Sequence, residues 1–401
     1  MMRDVFIIDG IRTPIGNFRG SLSNVRTDDL AAIPLKYLKD KYEHLHDKVD
    51  DVFMGCANQA GEDNRNVSRM ALLLAGFDHK VPGETINRLC ASGMSAVVHG
   101  RRAILAGEAE VIIAGGVEHM TRAPYVISKS SAPFGTDSQM FDTSFGWRFI
   151  NARLKEMYGT DAMGETAENL ADRYLIPKED QDMFAFNSQM KAASASASGR
   201  FEREIVQLSL QKSKSETIMF DKDEFIKPNT SMQVLSQLKP AFRSGGSVTA
   251  GNASGLNDGA AALLLASQAA MTAYSLTPLC RIVSSAVTGV EPRVMGIGPV
   301  DASRLALKRA GLSLDQMDII EINEAFAVQV LSCMKELNLS SVDPRINPNG
   351  GAIALGHPLG MSGARIILTA AHELILTNKK YALVTMCVGV GQGYAVIIEK
   401  V

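Results

Sequence analysis

The chain has 401 residues, with 41 Lys and Arg against 43 Asp and Glu, for a formal charge of −2. That length exceeds one hydrophobic core and sets an expectation of two or three domains at roughly 150 residues each, while the near-balanced charge, without long runs of one sign, leaves no nucleic-acid footprint. Cys56, Cys90, Cys280, Cys333 and Cys387 lie far apart with no Cys-x-x-Cys spacing, so neither a disulfide framework nor a metal site is called for, and they read as thiols of a reducing compartment.

In chain order, Val5-Phe6-Ile7-Ile8 is an apolar opening too short for a secretory signal, and nowhere do eighteen apolar residues run together; a cytoplasmic protein without a membrane anchor is expected. Short apolar runs bounded by glycine then alternate with helical stretches, the mark of βαβ units on a buried sheet. Asp50 to Gly55 is the first such run after the opening, Leu89 to Ala96 leads into a helix, and Glu110 to Gly116 follows. From 121 to 245 the alternation fails and Met, Ser, Lys and charged residues rise. The one clear helix there begins at Lys178, entered from Pro177, with Glu179, Asp180 and Asp182 at its positive end, and stops at Gly199. Buried-strand chemistry returns at Ala260 to Leu265.

The rest of the chain repeats the beginning. Asp318 to Asn323 answers Asp50 to Gly55, Gly356 to Gly363 answers Leu89 to Ala96 with Gly, Met and Ser at one offset, and Tyr381 to Cys387 answers Glu110 to Gly116. The expected organisation is therefore α/β with two pseudo-twofold halves, residues 1–120 plus 246–272 and residues 273–401, and an inserted domain at 121–245.

Four positions can carry chemistry. Cys90 sits at a helix start, where free amides and the helix dipole favour thiolate; a Cys among small residues also reads as a buried hydrophobe. His357, held between Gly356 and Pro358, occupies in the second half the place of Cys90 in the first, and is poised as a base. Cys387 opens Cys387-Val-Gly389-Val-Gly-Gln-Gly after an apolar strand. Because a strand follows these glycines, a phosphate loop is excluded, and a hairpin turn or an oxyanion hole of backbone N–H groups remains. Asn323 ends a strand and is either a helix N-cap or a ligand contact at a strand's carboxyl end.

With Asn-Arg-Leu-Cys90-Ala-Ser-Gly, Asn323-Glu-Ala-Phe-Ala, Gly-His357-Pro-Leu-Gly and Cys387-Val-Gly-Val-Gly-Gln-Gly in order, the chain resembles the thiolase family from end to end. Ile11-Arg-Thr-Pro-Ile-Gly16 and Thr249 to Ala260 look like family signatures too. The resemblance implies duplicated βαβαβαββ halves in a five-layer α-β-α-β-α body. It implies Cys90 as acyl carrier, His357 as its base, and Cys387 as acid or base at the acetyl methyl. His357 with a water on Asn323 would make one oxyanion site, the N–H groups of Cys90 and Gly389 the other. Coenzyme A, a co-substrate and no permanent cofactor, would lie on the insertion against Leu154, Met163, Lys227, Ala253 and Ser254. A homodimer or homotetramer is implied.

Ala162 before Met163-Gly164, where short-chain members have His, and Lys227, where Arg is common, depart from acetoacetyl-specific thiolases. Gly55 to Asn66 and Phe145 to Asn151 resemble the β-ketoadipyl-CoA subgroup, which implies cleavage of 3-oxoadipyl-CoA by coenzyme A to succinyl-CoA and acetyl-CoA. Arg148, beside Trp147 and Phe149, is then the candidate for the distal carboxylate, with an acid of its own loop or the coenzyme phosphates as its alternative partners. Alternatives to this function are an acetoacetyl-CoA or general 3-ketoacyl-CoA thiolase and a non-catalytic acyl-CoA or lipid carrier of the same fold. A ketoacyl synthase would carry His or Asn where this chain has Cys387.

Overall fold

A computed structural model describes residues 4–213 and 216–401. The runs Val5–Arg12, Val111–His119 and Asn257–Ser267 are buried at every position. Strands apolar on both faces must be covered on both faces, and helices cover them here. In the first half these are β1 (Val5–Arg12), α1 (Thr27–Lys41), β2 (Asp51–Gly55), α2 (Val67–Leu74), β3 (Gly83–Ile86), α3 (Ser92–Ala106), β4 (Val111–His119) and, after the insertion, β5 (Asn257–Ser267). The second half repeats the order: β6 (Cys280–Gly289), α4 (Gly298–Ala310), β7 (Ile319–Ile322), α5 (Ala327–Glu336), α6 (Leu359–Leu376), β8 (Tyr381–Val388) and β9 (Gln392–Lys400). Its third strand shrinks to a bridge between Ile320 and Ile346.

Strand order is β7-β8-β9-β6-β1-β5-β4-β2-β3. It reads the same from either side of the seam between β1 and β6, where Phe6 pairs with Arg281 and Ile7 with Cys280. On both sides two parallel strands, β2 with β4 and β7 with β8, give way to antiparallel partners. Three apolar cores separate five layers, as the α/β class read from the sequence requires. One joins α1 and α2 to the first sheet half, another joins α4 and α5 to the second, and the central one holds α3 and α6 between the halves. Among the described residues α6 is long and apolar enough to cross a membrane, but 78% of it is buried within the fold.

The two central helices touch backbone to backbone. A Cβ on Gly93 would meet the Gly360 carbonyl at 2.5 Å, and one on Gly363 the Met94 amide at 2.4 Å. Glycine at these positions therefore brings the N-termini of α3 and α6 together.

The segment 121–245 carries two hairpins, Tyr125–Ile127 with Met140–Asp142 and Leu208–Ser213 with Glu216–Phe220. Its long helix spans Lys178–Ala197, with Pro177 at the N-cap and left-handed Gly199 just beyond the end. The apolar residues of that helix serve other layers: Ala185 packs with Ala327 and Ile353, and Ala192 and Ala195 enter the central core. Buried Arg12 of β1 binds Glu204 at 2.9 Å and Asp223 at 2.7 Å, tying the segment to the first half. Losing either acid would leave buried N–H donors of the guanidinium unpaired.

Candidate active site

Between β3 and α3 the chain makes a side-chain-locked turn. Asn87 Oδ1 accepts the Leu89 N–H at 2.9 Å, while Ser92 Oγ accepts the Arg88 N–H at 2.9 Å and donates to the Leu89 carbonyl at 2.6 Å. Leu89 itself is left-handed, with φ 47°, a conformation that costs a non-glycine residue about 1–3 kcal/mol. Cys90 follows, half-buried and ahead of the helix. Burial pushes its thiol up to about 11, against the downward pull of the Gly389 N–H and its own N–H. This corrects the lowered pKa read from the sequence: loss of solvation outweighs the amide donors, and the resting sulfur is a thiol.

His357 lies between the short helix Ala352–Leu355 and α6. Gly356 turns the chain with φ 103°, and a Cβ there would strike Asn257 Cγ at 2.6 Å. Asn257 Oδ1 accepts the His357 N–H at 3.0 Å. Ser362 Oγ, 2.7 Å from His357 Nδ1, donates to the Pro358 carbonyl at 2.8 Å. The hydroxyl is thus an acceptor toward the ring, which assigns the proton to Nδ1 and leaves Nε2 with a free lone pair. Burial, then the charge of Arg365, lowers the imidazole to about 3. Nε2 faces Asn323 Nδ2 at 3.3 Å, and Asn323 Oδ1 is buried without a partner. Among the described residues no hydrogen bond joins His357 to Cys90; the ring's Nε2 partner is Asn323.

Cys387, near the end of β8, is 1% exposed. Burial, then the neighbouring Cys90, pushes its thiol well above the usual range. Beyond it Val390 and Gly391 are left-handed and return the chain into β9, so the glycine run is a hairpin turn whose Gly389 N–H faces Cys90. The two thiols and the imidazole share the junction of the halves, where strand and helix ends meet. Above Cys90 opens a cavity of about 300 Å³, lined among others by Gly389, Met163, Trp147, Arg148 and Asn58.

Residues 5–269 match the family model described as thiolase, N-terminal domain, and residues 276–400 match thiolase, C-terminal domain. The chain belongs to the thiolase family. Among its relatives, the 3-oxoadipyl-CoA/3-oxo-5,6-dehydrosuberyl-CoA thiolase of Escherichia coli K12 is 56% identical over the whole of both chains. The beta-ketoadipyl-CoA thiolase of Pseudomonas putida is 55% identical, again over the full length of each. Human mitochondrial 3-ketoacyl-CoA thiolase, solved in complex with CoA, superposes with a TM-score of 0.91 at 40% identity, covering 100% of this chain and 98% of that one. The protein is accordingly an acyltransferase enzyme that works on coenzyme A thioesters.

Of the five coenzyme contacts expected in this thiolase, Met163 lines the cavity. Ala253 shares an apolar cluster with Met163 and Cys387, and the Ser254 N–H donates to the Ala325 carbonyl at 3.0 Å, close along the chain to Asn323. Leu154 is half-buried on the helix Ala152–Tyr158, and Lys227 is exposed with Nζ 4.7 Å from the Phe225 ring; neither lines the cavity. Arg148 does.

Three supporting residues escape a reading for nucleophiles and bases. Asn257 and Ser362 hold His357 as described. Glu118 accepts the N–H groups of Ala57, Asn58 and Gly360 at 3.0, 3.1 and 2.8 Å, stapling β4 to the start of α6, and burial pushes its carboxyl up to about 7. Glu118 was detectable as the one charge inside Val111–His119, a strand otherwise suited to full burial.

Proposed function

We propose that this thiolase cleaves 3-oxoadipyl-CoA with coenzyme A, giving succinyl-CoA and acetyl-CoA. The observation that carries the reading is the cavity above Cys90, whose lining includes one cation, Arg148, suited to a dicarboxylic chain. The full-length relatives named for this substrate support it.

In the proposed course Cys90 attacks the 3-oxo carbon while His357 Nε2 takes the thiol proton. The bond between C2 and C3 breaks, and the electron pair leaves as the enolate of acetyl-CoA, which Cys387 protonates at carbon. The thiol of coenzyme A then attacks the thioester on Cys90, releasing succinyl-CoA and restoring the thiol. His357 and a water on the unpartnered Asn323 Oδ1 serve the enolate; the N–H groups of Cys90 and Gly389 serve the tetrahedral oxyanion. Coenzyme A lies against residues 121–245 and the segment that follows, with Leu154, Met163, Lys227, Ala253 and Ser254 as its contacts. No resident cofactor takes part.

We assign the chain to the cytoplasm, as a homodimer or homotetramer. Self-association is supported by the hairpin Tyr125–Ile127 with Met140–Asp142, where Tyr125 and Ile127 are each 66% exposed and Met140 64%. Thiolysis assays over acetoacetyl-CoA, 3-oxohexanoyl-CoA, longer 3-oxoacyl-CoA and 3-oxoadipyl-CoA test the substrate. The expected result is the highest kcat/KM on the last. A higher value on acetoacetyl-CoA overturns it, and acyl-CoA binding without turnover would mean a carrier.

A further inference from the structure

Of the residues lining the cavity above Cys90, Arg148 is the one cation and Glu118 the one anion. Glu118 is already committed to the backbone amides of Ala57, Asn58 and Gly360. Arg148 is half-buried, and Nη2 donates to Asn58 Oδ1 at 3.0 Å. Among the described residues no carboxylate stands within ion-pairing distance of its guanidinium, and Nε and Nη1 have no hydrogen-bond acceptor. Its half-exposed guanidinium therefore faces the apolar cavity with N–H donors left for a ligand.

The surroundings hold this cation in place. Asn58 Nδ2 reaches Thr143 Oγ1 at 3.2 Å, and Thr143 Oγ1 donates to the Pro124 carbonyl at 2.6 Å. On the other side of the loop, Trp147 Nε1 donates to the Asp161 carbonyl at 3.1 Å. Phe149, the next residue, meets Phe141 edge-on with ring centroids 4.9 Å apart, so the chain is held just before and just after Arg148, and Asn58 orients the planar fork.

We propose that Arg148, oriented by Asn58, binds the distal carboxylate of a dicarboxylic 3-oxoacyl thioester and so selects it over the uncharged chain of equal length. This rests on the 3-oxoadipyl-CoA reading and names the residues behind it. A guanidinium with free N–H groups grips a carboxylate through parallel charged hydrogen bonds, and an uncharged acyl tail leaves those donors unsatisfied.

The test compares kcat/KM for 3-oxoadipyl-CoA and 3-oxohexanoyl-CoA in the wild type, Arg148→Met, Arg148→Lys and Asn58→Asp. In Arg148→Met the preference for the charged substrate should fall roughly 10- to 100-fold, the worth of a charged hydrogen bond. Arg148→Lys keeps the charge but not the fork and should retain part of the preference. Asn58→Asp gives the guanidinium a carboxylate of its own and should lower the preference even if Arg148→Met fails to fold. A preference that survives Arg148→Met or, should that variant not fold, Asn58→Asp overturns the assignment while leaving the substrate reading intact. Equal losses on both substrates with a raised KM for coenzyme A would place Arg148 on the coenzyme phosphates. A wild type that treats both substrates alike overturns the substrate reading and this inference together.

Discussion

Cys90 to Ser95 and His357 to Ser362 are equivalent segments of the two halves, each ending in Gly-Met-Ser at the start of a central helix. Their serines behave differently. Ser362 Oγ meets His357 Nδ1 at 2.7 Å and fixes the ring. Ser95 Oγ instead accepts Arg88 Nε at 3.3 Å, and Arg88 reaches on to Gln392 beside the glycine turn at 2.7 Å. Cys90 consequently has no side chain holding it; it opens on the cavity, while His357 is 4% exposed. One duplicated helix start has become a free, half-exposed thiol and the other a clamped, buried imidazole. Partner choice around the helix start, more than the helix end itself, separates the proposed nucleophile from the proposed base.

The sharpest way to break that comparison is to remove the exposed member. Cys90→Ala should fold and lose acyl-enzyme formation altogether, checked by peptide mass mapping after incubation with labelled acetyl-CoA. Label on another cysteine would remove Cys90 from the mechanism. The next effect concerns the second thiol, assigned to carbon. Cys387→Ala should still acetylate Cys90, while exchange of the acetyl methyl protons falls about 10²- to 10⁴-fold, the usual loss of a positioned acid or base. Wild-type exchange in this variant would contradict its role.

The fold was legible because the chain states it twice: two sets of apolar runs at nearly one offset predict two sheet halves, and Pro177 and Gly199 bracket the long helix. Candidate chemistry was legible where residue type alone limits the options, at Cys90, His357 and Cys387, whose roles are proposed. Charge states were not. The helix start argued for a thiolate at Cys90, but burial is a property of everything packed around it and enters only with the tertiary structure. Polar supports such as Asn257 and Ser362 were hidden for a related reason. In sequence they resemble ordinary strand and helix residues, and only the fold shows which ring nitrogen they serve. The insertion's dependence on other layers was equally invisible, since Ala185, Ala192 and Ala195 do not say what they face.

A smaller effect is expected from the turn that sets the imidazole. Gly356→Ala must abandon φ 103° or push Asn257 away, shifting His357 without deleting it. Misplacement by about 1 Å can cost on the order of a hundredfold in rate. The variant should lose roughly that in kcat, and alkylation of Cys90 by iodoacetamide should slow with it, because the displaced imidazole is the proposed acceptor of the thiol proton. A wild-type alkylation rate beside the lost kcat would mean that His357 acts at a step other than the activation of Cys90.

The smallest effect tests the charge state of the clamped imidazole through stability. The ring sits at about 3 in the native protein, against an ordinary value of 6.5, because burial disfavours its charged form. Between those values the unfolded chain binds a proton that the native state refuses. Stability from this source is therefore complete above pH 6.5 and drains away as pH falls toward 3. Glu118 and Glu321, raised by burial to about 7 and about 8, act with the opposite sign above their ordinary value of 4.5. Wild type alone will mix these slopes. They are common to His357→Gln, however, and cancel when the two are subtracted. Urea midpoints measured from pH 7 to pH 4 should show the variant gaining on the wild type steadily as the acid rises. Parallel curves would mean that the imidazole titrates near its ordinary 6.5 in the native state, and that burial does not hold His357 neutral in acid.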